Sequence, residues 1–123
     1  MKYEFKKTGE IYTLTVDNLM MDYENHRLLR EVESMIIEDS HKYFIISLEK
    51  LAFINSVGLS FLIAVLTKSR NAGGETIIVN VNEKITQLLV MTKLHSIFTV
   101  CDSTEDGIKT LQASMPSNVI FNN

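Results

Sequence analysis

The chain has one cysteine, one proline and no tryptophan among 123 residues. A lone Cys101 cannot close an internal disulfide, so the fold has to stand on its own core, and the count suits a reducing compartment. The single proline, Pro116, sits near the end, which leaves the preceding stretch free of helix breakers and marks 116–123 as a short tail after one domain at 1–115. No segment approaches the roughly 20 apolar residues that span a bilayer. The longest apolar run, Phe61 to Leu66, is far too short, so membrane insertion is not expected. Met1 to Lys7 alternates charge with aromatics and lacks the apolar stretch of a signal peptide, which points to a cytoplasmic protein. Twelve basic against fifteen acidic residues give a net charge of −3, so nothing draws the chain as a whole to nucleic acid or an anionic membrane. Repeats and low-complexity tracts are absent from the sequence. What is present is ordinary for a globular chain, 46% hydrophobic and 22% charged, and long enough to bury roughly two thirds of its unfolded surface.

The hydrophobic pattern divides this domain into alternating elements. Tyr3 and Phe5 alternate with Glu4 and Lys6, Thr8-Gly9 turns the chain, and Ile11 to Val16 alternates again, which predicts a hairpin. From Asp22 the spacing of Leu28, Leu29, Val32, Met35 and Ile36 predicts an amphipathic helix with Arg27, Arg30, Glu31 and Glu38 on its wet face. Tyr43 to Ile46 is apolar without alternation, as in a strand covered on both faces, and is the expected centre of the sheet. A second helix is expected from Ser56 to Arg70, closed by Gly73-Gly74, then a strand at Glu75–Val79. Asn82 is placed to cap a third helix bearing Ile85, Leu88 and Leu89. Ile97–Val100 reads as a last strand, and Asp102 with Glu105 as a capping-box-like start to a fourth helix. The order ββαβαβαβα predicts an α/β fold of about five strands and four helices, with a mostly parallel sheet joined by right-handed crossovers.

Few residues are arranged for catalysis. His26, His41 and His95 are scattered without metal-ligand spacing, so no metal and no cofactor are expected. Neither phosphate-cradling glycine motif is present. Cys101 reads as a small packed side chain, and Asp102, Glu105 and Asp106 as charges suited to a helix N-terminus. A serine hydrolase built on Ser56 is the enzyme alternative, but no Gly-x-Ser-x-Gly elbow surrounds that serine and no histidine lies near it in sequence.

The informative segment is the junction into the second helix, where Asn55 and Ser56 stand beside unpaired backbone N–H groups. At about 100° per residue, Leu59, Leu62, Ile63 and Leu66 gather on one side as a core stripe, while Val57, Phe61, Ala64 and Lys68 gather on the opposite side. A helix apolar on both sides is doubly buried or meets a partner. If the second stripe is uncovered, Phe61 beside Val57 anchors an interaction surface.

Phe44-Ile45-Ile46-Ser47-Leu48-Glu49-Lys50-Leu51-Ala52-Phe53-Ile54-Asn55-Ser56-Val57-Gly58-Leu59, then Ala72-Gly73-Gly74-Glu75 and the Leu88-to-Phe98 passage, resemble the STAS domain of bacterial anti-sigma factor antagonists. The resemblance runs from Ile11 to Leu111. It implies a small STAS-like α/β domain that is not an enzyme. It also implies a partner, an anti-sigma factor with serine kinase activity, whose capture frees a sigma factor and regulates transcription without DNA contact. In that family the kinase phosphorylates the junction and a phosphatase reverses the mark, on the second serine of Asp-Ser-Ser-Gly-Leu. Here those places hold Asn55, Ser56, Val57, Gly58 and Leu59, so the accepting position has no hydroxyl, and Ser56 is the nearby substitute phosphorylation site. The resemblance thus implies constitutive or differently regulated binding through Asn55, Ser56, Val57, Gly58, Phe61, Ala64 and Lys68. An accessory role on a transporter ATPase is the other reading within the superfamily. The sequence leaves open which partner is bound and whether the chain forms a homodimer through its hairpin edge or tail.

Overall fold

The computed structural model describes residues 1–116. Tyr3–Thr8 (β1) and Ile11–Val16 (β2) form the expected hairpin, in register from Tyr3 opposite Val16 to Thr8 opposite Ile11. Gly9 takes a positive φ of 60° in the turn, a conformation that a side chain would oppose. The chain continues through Asp22–Ile37 (α1), Tyr43–Ser47 (β3), Ser56–Asn71 (α2), Glu75–Val79 (β4), Glu83–Met91 (α3), Thr99–Cys101 (β5) and Thr104–Ser114 (α4). The sheet runs β1-β2-β3-β4-β5, antiparallel only between β1 and β2.

This ordering decides where the helices go. Strands are added in one direction across the sheet, so crossovers of one hand carry α1, α2 and α3 over the same face. The larger core lies there: Leu14, Phe44, Ile46 and Ile78 from the strands meet Leu28, Val32, Leu62, Val65, Ile85 and Leu89 from those helices. Among the described residues no strand follows α4, and this helix covers the other face, where Ile45, Ile77 and Val79 meet Leu111 and Met115. With helices on both sides, β3 is buried along its whole length, which is why Tyr43 to Ile46 shows no alternation.

Helix ends follow local chemistry. Asn82 Oδ1 accepts from the Ile85 N–H at 2.9 Å, as the sequence predicts. Gly73 takes φ 89° after α2, but Gly74 is needed for a different reason: a Cβ there would lie 1.9 Å from the Lys42 carbonyl oxygen. Two expectations shift. The α4 cap is Ser103, whose Oγ accepts from the Asp106 N–H at 3.1 Å, rather than Asp102. The last strand begins at Thr99 instead of Ile97, because Leu94–Ser96 forms a 3₁₀ turn that drops Phe98 into the core. Beyond Pro116 the expected tail lies outside the described residues.

Candidate functional site

The strands β2, β3 and β4 all end on one side of the sheet, and the loops that follow them converge at the start of α2. Asn55 joins two of these loops. Its Oδ1 accepts from the Gly58 N–H at 3.0 Å, capping α2, and its Nδ2 donates to the Met20 carbonyl at 3.3 Å, fixing the β2–α1 loop. Asn82 ties in the third by donating to the Leu51 and Ala52 carbonyls. Gly58 lets these segments close up, since a Cβ there would stand 2.4 Å from Ile54 Cγ1 and 3.0 Å from the Leu19 carbonyl oxygen. The junction is therefore a braced platform.

Of the residues expected on the docking surface, Phe61 has to be withdrawn as an exposed anchor. It is 3% exposed and belongs to the main core. The expected core stripe is right for Leu59, Leu62 and Leu66, whereas Ile63 is half-buried and Val65 joins the core. The physical reason is α1, which packs alongside α2 on the same sheet face and covers the second apolar stripe. Ala64 and Lys68 are half-buried on that stripe, and Lys68 Nζ reaches Glu33 Oε2 of α1 at 3.6 Å. The N-terminal end of α2 is left partly open. Ser56 is exposed, Val57 and Asn55 are half-buried, and Gly58 is buried.

The exposed apolar groups around that end come from loops. Met20, Met21 and Phe53 are 43%, 56% and 48% exposed, and Tyr23 on the first turn of α1 is 70% exposed. These apolar side chains, left in water next to a braced backbone, make the exposed apolar surface that Phe61 does not supply. Periodicity could not find them, because loop residues follow no period. The available signal was the pair Met20-Met21 directly before a helix, and Phe53 stranded between a core strand and a helix cap.

The N-terminal halves of α1 and α2 leave a groove of about 220 Å³ between them. From α1 it is lined by Asp22, Asn25, His26 and Leu29, the i, i+3, i+4, i+7 positions of one stripe. Val57, Ser60, Phe61 and Ala64 repeat that spacing from α2. Asn25 is 4% exposed; its Nδ2 donates to the Leu19 carbonyl at 2.7 Å, and its Oδ1 is buried with no partner among the described residues.

Among the described residues the Ser56 hydroxyl makes no hydrogen bond to a histidine or carboxylate. Among the described residues, His26 Nδ1 engages the Asp22 carbonyl, His41 pairs with the Tyr12 hydroxyl, and His95 meets the Leu89 carbonyl. A serine nucleophile needs such a base within hydrogen-bond reach. Among the described residues no group of three or more His, Cys, Asp or Glu side chains could hold a metal ion. Cys101 is half-buried and donates to Thr110 Oγ1 at 3.6 Å. No helix among the described residues is long and apolar enough to cross a membrane.

Comparison with solved structures agrees with this architecture. Protein TM1081 of Thermotoga maritima superposes with a TM-score of 0.82 at 18% identity, over 91% of this chain and 90% of its own. The phosphorylated form of the Bacillus cell fate determinant SpoIIAA gives 0.70 at 14% identity, over 89% and 98%. The murine Slc26a9 anion transporter gives 0.71 at 13% identity, over 88% of this chain but 18% of the transporter. At these identities the likeness establishes the fold. The family model for the STAS domain matches residues 2–107, and the chain belongs to the STAS-domain family.

Proposed function

We propose that this chain is a noncatalytic docking domain that antagonises an anti-sigma factor, binding it through the loops around the start of α2. The observation that carries the reading is the exposed set Met20, Met21 and Phe53 beside half-buried Val57, on a platform braced by Asn55. Its fold neighbour SpoIIAA, described as an anti-sigma factor antagonist, exists in phosphorylated and unphosphorylated forms, which supports a partner of kinase type. A phosphate at the junction would add about −1.5 to −2 charges to an apolar contact and weaken it. With Val57 at the usual acceptor position, docking proceeds without that control. Ser56, exposed at the first position of α2 and adjacent to Val57, is the substitute acceptor in this reading.

The immobilised chain tests this against its Phe53→Asp variant in extract from the source cell, with captured proteins identified by mass spectrometry. A kinase-type ATPase held by the wild type and lost from the variant is the expected result. A transporter ATPase held in the same way would favour the accessory-subunit reading, which the Slc26a9 fold match supports. Incubation of the recovered kinase and ATP with wild type and Ser56→Ala, read by intact mass, then decides the regulation. No added phosphate means constitutive docking; a phosphate on the wild type alone restores a switch at Ser56.

A further inference from the structure

β1 is the outer strand of the sheet, so one of its edges has no strand beside it among the described residues. Which residues point that way follows from the hairpin. The Asp17 N–H donates to the Lys2 carbonyl at 3.0 Å, and in an antiparallel ladder alternate residues turn their backbone groups to the same side. Lys2, Glu4, Lys6 and Thr8 therefore face β2, while Tyr3, Phe5 and Lys7 aim their N–H and C=O groups outward. Such a row of free groups is a template for another strand, and lysines on an edge ordinarily discourage one. Here the lysines share the edge with Glu4, and their effect depends on what arrives. A second copy of β1 running antiparallel brings the outward groups together in several registers, which differ in charge. Centring on Phe5 sets Glu4 of each copy opposite Lys6 of the other, and Tyr3 opposite Lys7. Centring on Glu4 opposes Glu4 to Glu4 and Lys2 to Lys6, and centring on Lys6 opposes Lys6 to Lys6. Opposite charges across a strand pair attract and like charges repel, so the register centred on Phe5 is selected and its nearest neighbours are rejected. The strand is complementary to itself.

We propose that this chain forms a two-fold symmetric homodimer through its β1 edges, joined in the register that centres on Phe5. Tyr3, Phe5 and Lys7 exchange backbone bonds with Lys7, Phe5 and Tyr3 of the second copy, which extends the two five-stranded sheets into one. On the face turned away from α1, exposed Glu4 and Lys6, which have no ion-pair partner in their own chain among the described residues, form the two ion pairs. On the α1 face the half-buried Phe5 rings meet across the axis, and Lys7 stands by the exposed Tyr3 ring, whose face takes a cation. An edge of six residues falls short of the ~1,200–2,000 Å² of a standard interface, so the dimer is weak, dissociating in the upper micromolar range. The axis crosses the strands, so the α2 docking ends of the two copies point in opposite directions and both stay free. The dimer does not depend on the docking reading.

Sedimentation equilibrium of the full chain, from micromolar to millimolar concentration, should show reversible association toward twice the 14.0 kDa monomer. Glu4→Lys and Lys6→Glu, at exposed positions, should each weaken it at least about tenfold by turning both ion pairs into repulsions, in chains that keep their circular dichroism. An equimolar mixture of the two variants should regain at least the wild-type association, because every charged pair across the axis is then opposite again. Backbone amide exchange needs no variant: Tyr3, Phe5 and Lys7 should slow as concentration rises, while Glu4 and Lys6 stay constant. A monomer at every concentration, association that both charge variants leave unchanged, a mixture that stays monomeric, or protection that rises equally at Glu4 and Lys6 would each overturn the proposal. Because no partner protein enters these measurements, such a failure leaves the docking reading standing or falling on the capture experiment alone.

Discussion

Phe61 and Phe53 stand eight residues apart and should fail in opposite ways. Phe61 is 3% exposed among Leu62, Val65 and the α1 side chains, so Phe61→Ala removes nearly a whole ring from a packed interior. Such truncations cost about 3–5 kcal/mol, lost transfer energy plus the cavity left behind. Against a total of about 5–15 kcal/mol for a domain, that is a large fraction. For a chain of this length it corresponds to a fall in Tm of roughly 10–20 °C. Phe53 is 48% exposed, so Phe53→Ala should cost under about 1 kcal/mol of stability while weakening capture of the partner. Urea denaturation of both variants, followed by circular dichroism with a shared m-value, measures the difference directly. A Phe61→Ala loss below about 1 kcal/mol would refute the reasoning, because it would mean that α1 does not seal that stripe. A Phe53→Ala loss as large as that of Phe61→Ala would refute it from the other side.

Asn55→Ala should cost about 1–2 kcal/mol by removing both the α2 cap and the bond to the Met20 carbonyl; Asn55→Asp, which keeps a capping acceptor, should cost less in the same denaturation assay. Gly74→Ala should destabilise by about 3 kcal/mol, since its Cβ would meet a backbone oxygen at 1.9 Å and the start of β3 or β4 must move; a neutral result would contradict the close approach. The Tyr3 hydroxyl donates to the Glu31 carboxylate, and that hydrogen bond, with burial and the Glu31 charge adding to it, raises the Tyr3 pKa above its usual value of 10.0. A raised folded-state pKa contributes stability that is complete below the unfolded pKa and lost as pH rises through the folded one. The advantage of wild type over Tyr3→Phe in urea midpoint should therefore be constant near neutrality and shrink above about pH 10, and it should stay under about 1 kcal/mol at this 42%-exposed residue.

The element order, the hairpin, the central position of β3 and the caps at Asn55 and Asn82 were legible in the sequence, because each depends on residues a few positions apart. Alternation reports a strand with one wet face, and Asn before a helix offers its side chain to an N–H three residues on. The boundaries of β5 and the cap of α4 were less legible, since Phe98 leaves the strand pattern to fill a hole that α3 and the sheet make together. Phe61 shows the limit most clearly. Its place on the helical wheel said that α2 is apolar on two sides, and no local rule says whether the second side meets water, a partner or another helix. That was decided by the sheet topology, which sets α1 and α2 on the same face because successive crossovers share one hand. The same packing left Met20, Met21 and Phe53 outside, and it set Asn25 along one groove with Val57 and Phe61, residues more than thirty positions away. Sequence alone determined which surfaces are apolar; only the tertiary arrangement determined which of them stay uncovered, because burial is a relation between elements distant along the chain.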